Sequence, residues 1–187
     1  MLEKIRAVNP GKTIHSICDE SFLKYGKIYQ DLDIEELAVK VKEKYDIVES
    51  GVFYTPSIPE AENTAAASRV SMTVYGGLPI EVGCCCGKND TLNAFEYHIG
   101  SEITYAVTDL VLILGLATDI KDGKYDTKNA EFFFVPKGTV FELYPVALHF
   151  APCSAGPDGF MTVVCLLKGT NTPLPEGTHE KALFMTN

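Results

Sequence analysis

The sequence predicts a predominantly β domain, a sandwich or barrel with a minor helical element near the N-terminus. Beyond residue 50, short segments rich in β-branched and aromatic residues recur, and Gly, Pro and Asn separate them. Only one stretch of the chain has clear helical spacing, and strands do not alternate with helices as they do in α/β proteins. These observations favour an all-β sandwich or barrel over a parallel-sheet fold.

Composition predicts a single globular domain. The chain has 187 residues, of which 46% are hydrophobic and 22% charged, enough for one sizeable core. We expect residues 1–50 to form a strand-and-helix appendage that packs on a barrel formed by residues 51–187. A net charge of −9 argues against nucleic acid or an anionic membrane as a partner, because both attract basic surfaces.

The N-terminus and the cysteines predict a cytoplasmic protein. The first residues lack the basic start, apolar centre and cleavage site of a secretory signal. The longest apolar run, Leu110 to Ala117, is far shorter than the roughly 20 residues that a membrane helix needs. Without a secretion signal, we expect the six cysteines to be thiols rather than disulfides.

The elements before residue 50 follow in order. Residues 13–18 and 22–29 alternate loosely and predict two short strands joined by a turn. Asp33 and Glu36 have the spacing of a capping box, and apolar residues recur at helical spacing after them. We therefore predict a helix from Ile34 to Lys44 that covers a sheet.

Most of the remaining chain is predicted to be strand. The predicted strands are 52–55, 69–75, 78–86, 93–115, 131–135, 140–144, 147–153 and 161–167. The run from Cys84 to Cys86 lies in one of them. Successive strand residues face opposite sides and a thiolate zinc site usually needs two spaced pairs, so we interpret the run as small buried hydrophobic residues.

Three metal-capable residues stand at even spacing in the predicted strand 93–115. In an extended chain Glu96, His98 and Glu102 would share one face. Imidazole and carboxylate ligands suit zinc, manganese, iron or nickel. The alternative is that they are solvated residues on a strand at the barrel rim.

These residues and a downstream segment resemble the two sequence motifs of the cupin superfamily. Glu96-x-His98-x3-Glu102, with Gly115 later, resembles the first motif, and Pro136-x-Gly138 resembles the start of the second. The resemblance implies a double-stranded β-helix or jelly-roll barrel with a pocket suited to a metal. In this chain Glu96 stands where the first motif has a histidine, and the histidine of the second motif is absent.

Two narrower resemblances point to particular groups of cupins. Residues 92–98, 106–109, 135–139 and 148–153 resemble a family of small uncharacterised bacterial cupins. Phe22-x-x-Tyr25-Gly26 is similar to the N-terminal entry of ureidoglycolate lyase, another cupin.

Two downstream residues could complete the ligand set. Glu142 would enter the barrel if the strand register is shifted by one residue from the usual cupin, and otherwise it is a solvated strand residue. His149 is flanked by Leu148 and Phe150, so it faces the side opposite to theirs. It is either a ligand or a core histidine bonded to a carbonyl.

The resemblance implies a metal-dependent enzyme that acts on a small sugar, keto-sugar or sugar acid as an isomerase, epimerase or lyase. A divalent zinc, manganese, iron or nickel ion would be held by His98, Glu102 and His149, with Glu142 or Glu96 as the fourth ligand. Whichever of Glu96 and Glu142 stays free is the candidate general base.

Other residues and functions complete the set of expectations. Tyr97, Tyr105 and Tyr144 either orient substrate hydroxyls or pack in the barrel. The alternatives to the enzyme are a non-catalytic metabolite- or sugar-binding cupin, an iron dioxygenase and a ureidoglycolate lyase-like activity. The resemblance also implies a homodimer formed through sheet edges.

Overall fold

The computed structural model describes residues 1–172, which form two β-sheets packed face to face with four helices. Residues 173–187, the end of the predicted barrel region, lie outside the described residues. The helices are α1 (Leu2–Val8), α2 (Glu35–Lys44), α3 (Pro59–Glu62) and α4 (Ala65–Val74). The strands are β1 (Ile14–Ser16), β2 (Gly26–Tyr29), β3 (Gly51–Thr55), β4 (Ile80–Lys88), β5 (Glu102–Ala106), β6 (Leu110–Leu116), β7 (Glu131–Val135), β8 (Val140–Leu143), β9 (Ala147–Leu148), β10 (Cys153–Ser154) and β11 (Phe160–Leu167).

The chain crosses repeatedly from one sheet to the other. The first sheet has the order β1-β7-β6-β10, with β9 also paired to β6, and the second has the order β2-β8-β5-β11-β4-β3. β5, β8 and β11 belong to the second sheet. The strands between them, β6 and β7 and then β9 and β10, belong to the first. Pairing is antiparallel except between β1 and β7. This arrangement confirms the predicted jelly-roll type of all-β fold with a minor helical N-terminal element.

Two apolar layers flank the second sheet. Large side chains such as Phe133, Phe141 and Phe160 fill the space between the two sheets. On the opposite face, residues of α2 and α4 such as Leu37 and Val70 pack against β4 and β11. Since β4 and β11 are buried on both faces, they are apolar almost throughout, and all three cysteines of the run in β4 are buried free thiols.

The predicted helix at residues 34–44 is confirmed as α2, but its predicted capping box does not form. Ile34 is the N-cap residue and its side chain makes no cap hydrogen bond, although the Asp33 carboxylate before it accepts the Glu35 N–H at 3.3 Å. The Glu36 carboxylate instead accepts a hydrogen bond from the Ala66 backbone N–H at 3.1 Å, in the first turn of α4. A residue expected to stabilise its own helix therefore stabilises the start of its neighbour.

The predicted strand at residues 69–75 is wrong, because this segment belongs to α4. The Thr64 hydroxyl accepts a hydrogen bond from the Ala67 N–H at 3.1 Å, which is an N-cap contact. Ala66, Ala67 and Val70 are buried at helical spacing, whereas Met72 is 69% exposed. The alternation of apolar residues that indicated a strand is the incidental pattern of a half-buried helix.

The N-terminal segment is part of both sheets. β1 pairs with β7 and β2 pairs with β8. The helix α1, which the sequence did not predict, packs Ile5 in a small cluster with Ile14, Val111 and Phe134. Among residues 1–172, no helix is long and apolar enough to span a membrane.

Candidate metal centre

A cavity of about 420 Å³ lies between the two sheets, and four acidic or imidazole side chains line it. They are Glu96, His98, Glu102 and His149. The rest of the wall is largely apolar, with Tyr54 and Asn171 among its polar members. The remaining lining residues are Val52, Cys85, Thr104, Leu112, Leu143, Phe150, Ala151, Pro152, Thr162 and Val164.

The four side chains are close enough to act together. Glu96, His98 and His149 each offer one ligand atom, and these atoms lie within 4.8 Å of one another. Glu102 Oε2 lies 3.5 Å from His98 Nε2 and 3.4 Å from His149 Nε2. The two imidazole rings meet edge to face, with their centroids 5.1 Å apart. The structure thus brings together four of the five residues predicted to serve as ligands or base.

A backbone bridge, rather than one long strand, makes these residues converge. The Glu96 N–H donates to the His149 carbonyl at 2.7 Å, and the His149 N–H donates to the Glu96 carbonyl at 2.9 Å. Glu102 begins β5, whereas residues 97–101 lie outside any strand. The predicted continuous strand at 93–115 is therefore wrong, and so is that at 147–153, which is split into β9, the bridge and β10.

The buried residue Phe95 anchors the loop that carries Glu96. Its side chain is 1% exposed and packs in a cluster with Leu148 and Tyr125. Gly115, the glycine of the first motif, lies beneath Tyr125, since a Cβ at that position would meet the Tyr125 ring at 2.6 Å. Packing on both sides of the bridge thus holds Glu96 and His149 in register.

His149 has the hydrogen bonding of a metal ligand. A carbonyl oxygen can only accept, so the contact at 2.8 Å between His149 Nδ1 and the Ala147 carbonyl requires that Nδ1 donate. Nε2 is buried and has no hydrogen-bond partner among residues 1–172. This nitrogen lies 3.4 Å from Glu102 Oε2, an ion-pair contact without hydrogen-bond geometry, and a ring oriented through Nδ1 in this way is the arrangement found in metal-ligating histidines. The donor set of two imidazoles and two carboxylates therefore fits a first-row divalent ion.

Burial and neighbouring charges shift the pKa values of Glu102, His149 and Glu96. Burial raises the pKa of Glu102, but the charges and contacts of His149 and His98 outweigh it, so the pKa of Glu102 lies well below its usual range. Burial lowers the pKa of His149, yet the Glu102 charge dominates and raises this pKa to about 9. Burial raises the pKa of Glu96, against the opposing charges of His149 and His98. Without an ion, Glu102 and His149 form a buried carboxylate–imidazolium pair.

The structure corrects the expected placement of Glu142, which lies outside the cavity. Its carboxylate accepts a hydrogen bond from the Tyr29 hydroxyl at 2.7 Å and lies 3.4 Å from Lys27 Nζ. Its neighbour Leu143 lines the cavity. Because successive strand residues face opposite sides, Glu142 points to the helix-covered face of the second sheet. The register shift that would bring it inside is absent from β8.

None of the three predicted substrate-orienting tyrosines lines the cavity. Tyr97 is 45% exposed, and Tyr105 packs on the helix-covered side of the second sheet. Tyr144 follows β8 and donates its backbone N–H to the Tyr25 carbonyl. Tyr54 contributes a phenol instead. It lies opposite Cys85 in the pairing of β3 with β4, and its presence follows from period-two alternation with Val52, a signal available in the sequence.

A short segment after β11 reaches the cavity through Asn171. Asn171 Nδ2 donates to the Tyr54 hydroxyl at 3.1 Å and to the Glu81 carboxylate at 2.7 Å. Glu81 also accepts the Gly169 N–H at 3.0 Å and the Asn171 N–H at 3.3 Å. Burial, followed by the charges of Glu102, Glu81 and Glu96, raises the pKa of Tyr54. No pattern in the sequence indicates this contact.

The fold and the site together define a jelly-roll type of all-β protein with a candidate metal centre between its sheets. Residues 14–187 match the family described as a domain of unknown function (DUF4867), and the chain belongs to that family. No protein with curated annotation matches the sequence.

Solved structures match parts of the chain at low sequence identity. A variant of Bacillus subtilis oxalate decarboxylase is 13% identical, with a TM-score of 0.40, over 68% of this chain and 28% of that one. A cupin-like protein from Thermotoga maritima is 14% identical, with a TM-score of 0.36, over 62% of this chain and 68% of that one. The matched region is thus just over a quarter of the length of the oxalate decarboxylase.

Proposed function

We propose that this protein is a divalent-metal-dependent cupin enzyme that acts on a small sugar, keto-sugar or sugar acid as an isomerase, epimerase or lyase. The observation that carries the proposal is the buried Nε2 of His149, which lacks a hydrogen-bond partner among residues 1–172 and lies within the group formed with Glu96 and His98. Its contact with Glu102 Oε2, at 3.4 Å, is an ion pair without hydrogen-bond geometry, so part of the cost of burying a polar group, about 1–3 kcal/mol, remains. Binding of a cation would recover this cost.

His98 and His149 would hold the ion together with Glu102, Glu96 or both. Zinc, manganese, iron and nickel all suit this donor set. When bound, the ion would polarise a carbonyl or bind two vicinal oxygens and so increase the acidity of the adjacent C–H or O–H.

The protein's own residues would perform the proton transfer and position the substrate. If His98, His149 and Glu102 are the ligands, Glu96 is free to take a proton from the substrate and return it to a neighbouring atom. Glu96 is suited to this role because it lies at the bridge, fixed by two backbone hydrogen bonds and next to both imidazoles. The apolar wall, including Leu112 and Val164, would exclude water from the reacting atoms.

Elemental analysis of protein purified without chelator tests the proposal. We expect about one ion per wild-type chain and loss of that ion in His98→Ala and His149→Ala. His15→Ala, which alters a histidine outside the cavity, and Glu142→Gln are matched controls that should keep the metal. A wild-type protein that is folded and metal-free, and that takes up no added ion, would refute the proposal.

A second candidate is a non-catalytic metabolite- or sugar-binding cupin. It is favoured by the contacts of Glu102 with both imidazoles, which satisfy much of the charge in the cavity without an ion. Incubation of the metal-loaded protein with a panel of sugars distinguishes the enzyme from the binding protein, since a binding protein would bind a sugar without converting it.

A ureidoglycolate lyase-like activity is a separate hypothesis, tested by adding ureidoglycolate to the same preparation.

We also propose that the protein is a homodimer with no nucleic-acid partner. β3 and β2 are the edge strands of the second sheet, and each has one edge without a strand partner among residues 1–172, which a second copy could extend. Light scattering of the full chain measures the mass, and a monomer at working concentration would contradict the dimer.

A further inference from the structure

The cavity is acidic, and among residues 1–172 the only side chain in it that can carry a positive charge beside the carboxylates is imidazole, which a bound metal ion would require in its neutral form. Glu96 and Glu102 line it, whereas no lysine or arginine of residues 1–172 does. Glu81 lies behind Asn171, where its carboxylate accepts hydrogen bonds from two backbone N–H groups and a side-chain amide. It has no ion-pair partner among the described residues. Among the described residues, an anion entering from Tyr54 and Asn171 would therefore meet carboxylates but no lysine or arginine before it reaches the centre.

A bound divalent ion would not reverse this balance. The charges of Glu96 and Glu102 sum to −2, which a doubly charged ion with two neutral imidazoles brings to zero. A phosphate or carboxylate on the substrate would then give the centre a net negative charge in a largely apolar cavity. Burial of a charge without a partner is strongly unfavourable.

The polar groups at the outer end of the cavity suit hydroxyl and carbonyl oxygens. The Tyr54 hydroxyl accepts from Asn171 Nδ2, and residues 1–172 contain no acceptor bonded to its own proton. Asn171 Nδ2 is engaged by the Glu81 carboxylate and Tyr54, which leaves Oδ1 as an acceptor without a partner in the described part of the chain. One donor and one acceptor thus lie side by side, which matches a neutral polyhydroxy compound.

From this arrangement we infer that the cavity takes an uncharged, unphosphorylated polyhydroxy carbonyl compound, a neutral sugar, and that Tyr54 and Asn171 determine this specificity. The inference rests on the proposed function and narrows it, because it excludes sugar phosphates and sugar acids. Glu81 is a positioning residue that acts through Asn171. Its three accepted hydrogen bonds hold the segment from Gly169 to Asn171 against the cavity.

Calorimetric titration of the metal-loaded wild-type protein tests the inference. The probes are aldoses and ketoses of four to six carbons, each with its phosphate ester and its aldonate. We expect at least one neutral sugar to bind, and to bind roughly tenfold or more tightly than its phosphorylated and carboxylate counterparts. A charged member that binds as tightly as the neutral one, or a panel in which no neutral sugar binds, would overturn the inference.

Two variants test the named residues. Tyr54→Phe removes only the hydroxyl, and we expect it to weaken binding of the neutral sugar roughly five- to tenfold while the metal content stays unchanged. Val52→Lys places a cation in the cavity wall and should improve binding of the phosphate ester, whereas the uncharged control Val52→Met should not. Unchanged sugar binding in Tyr54→Phe would show that Tyr54 does not determine the specificity.

A double-mutant cycle separates the positioning role of Glu81 from a general loss of stability. If Glu81 acts through Asn171, the double variant Glu81→Gln with Asn171→Ala should bind the sugar no more weakly than Asn171→Ala alone. Additive losses would contradict this role.

Metal analysis of the same preparations distinguishes a failure of the proposed function from a failure of the neutral-sugar inference. A metal-free wild type refutes the proposed function, whereas a metal-loaded wild type that prefers anions refutes only the neutral-sugar inference.

Discussion

Metal binding should release a proton from His149, because the nitrogen that would bind the ion holds a proton in the metal-free protein. The buried Glu102 carboxylate, 3.4 Å from Nε2, raises the pKa of His149 to about 9 against the effect of burial. At pH 7.5 a group with this pKa is ~97% protonated. A metal ligand must be neutral imidazole, so each ion bound should displace about one proton from His149.

The sign of the pH dependence follows from the same competition. Below pH 9 protons compete with the ion for Nε2, so the affinity for the metal should rise about tenfold per pH unit between pH 7 and pH 8.5. Above pH 9 the imidazole is already neutral, and His149 should contribute no further increase. Glu102 stays ionised over this range, because its pKa lies well below the usual value.

Calorimetric titrations of zinc or manganese in buffers of different ionisation enthalpy count the released protons. NMR titration of the metal-free protein measures the pKa of His149 directly, with the resonance assigned from its loss in His149→Gln. His15→Ala is the matched control and should leave proton release unchanged, since His15 lies outside the cavity. Metal binding with no proton release at pH 7.5, or a His149 that titrates near or below its ordinary pKa of roughly 6.5, would refute this coupling.

Three further predictions concern the protein outside the centre. Tyr29→Phe removes the hydroxyl that donates to the buried Glu142 carboxylate at 2.7 Å. Urea unfolding should show a loss of about 1–3 kcal/mol in the free energy of unfolding with unchanged metal content, and a reduced metal content would contradict the outward placement of Glu142. Gly115→Ala places a methyl group against the Tyr125 ring, which should lower the free energy of unfolding by about 1–3 kcal/mol and so lower the midpoint of thermal unfolding. An unchanged midpoint would contradict this packing. A thiol reagent at pH 8 should modify one cysteine quickly, exposed Cys18, because the other five are buried or half-buried; several fast thiols would contradict the burial.

Much of the secondary structure followed from local signals. The helix at residues 34–44 and strands such as β7 and β11 were predicted almost to their ends, because their apolar residues repeat at helical or strand spacing without interruption. The segment at 69–75 was misread, because Val70, Met72 and Val74 also fit a strand. The N-cap contact of Thr64, five residues before Arg69, decided it in favour of a helix.

The candidate site was predicted in part, and for a reason that proved wrong. The spacing of Glu96, His98 and Glu102 predicted that they share one face of a single strand. In the structure Glu96 and His98 lie in a loop before β5. Their convergence with His149 depends on the backbone bridge between Glu96 and His149, which joins segments about 50 residues apart. Such pairings leave no local periodicity, so the sequence could not reveal them.

The sequence by itself determined the residue types of the centre and the kind of fold, because side-chain chemistry and apolar periodicity are local properties. The tertiary structure alone decided which residues share the cavity. It placed Glu142 on the helix-covered side of the sheet with Tyr29, and it brought Tyr54 and Asn171 into the cavity wall. The reason is that strand register and loop packing, which sum contacts over the whole chain, select the face to which each side chain points.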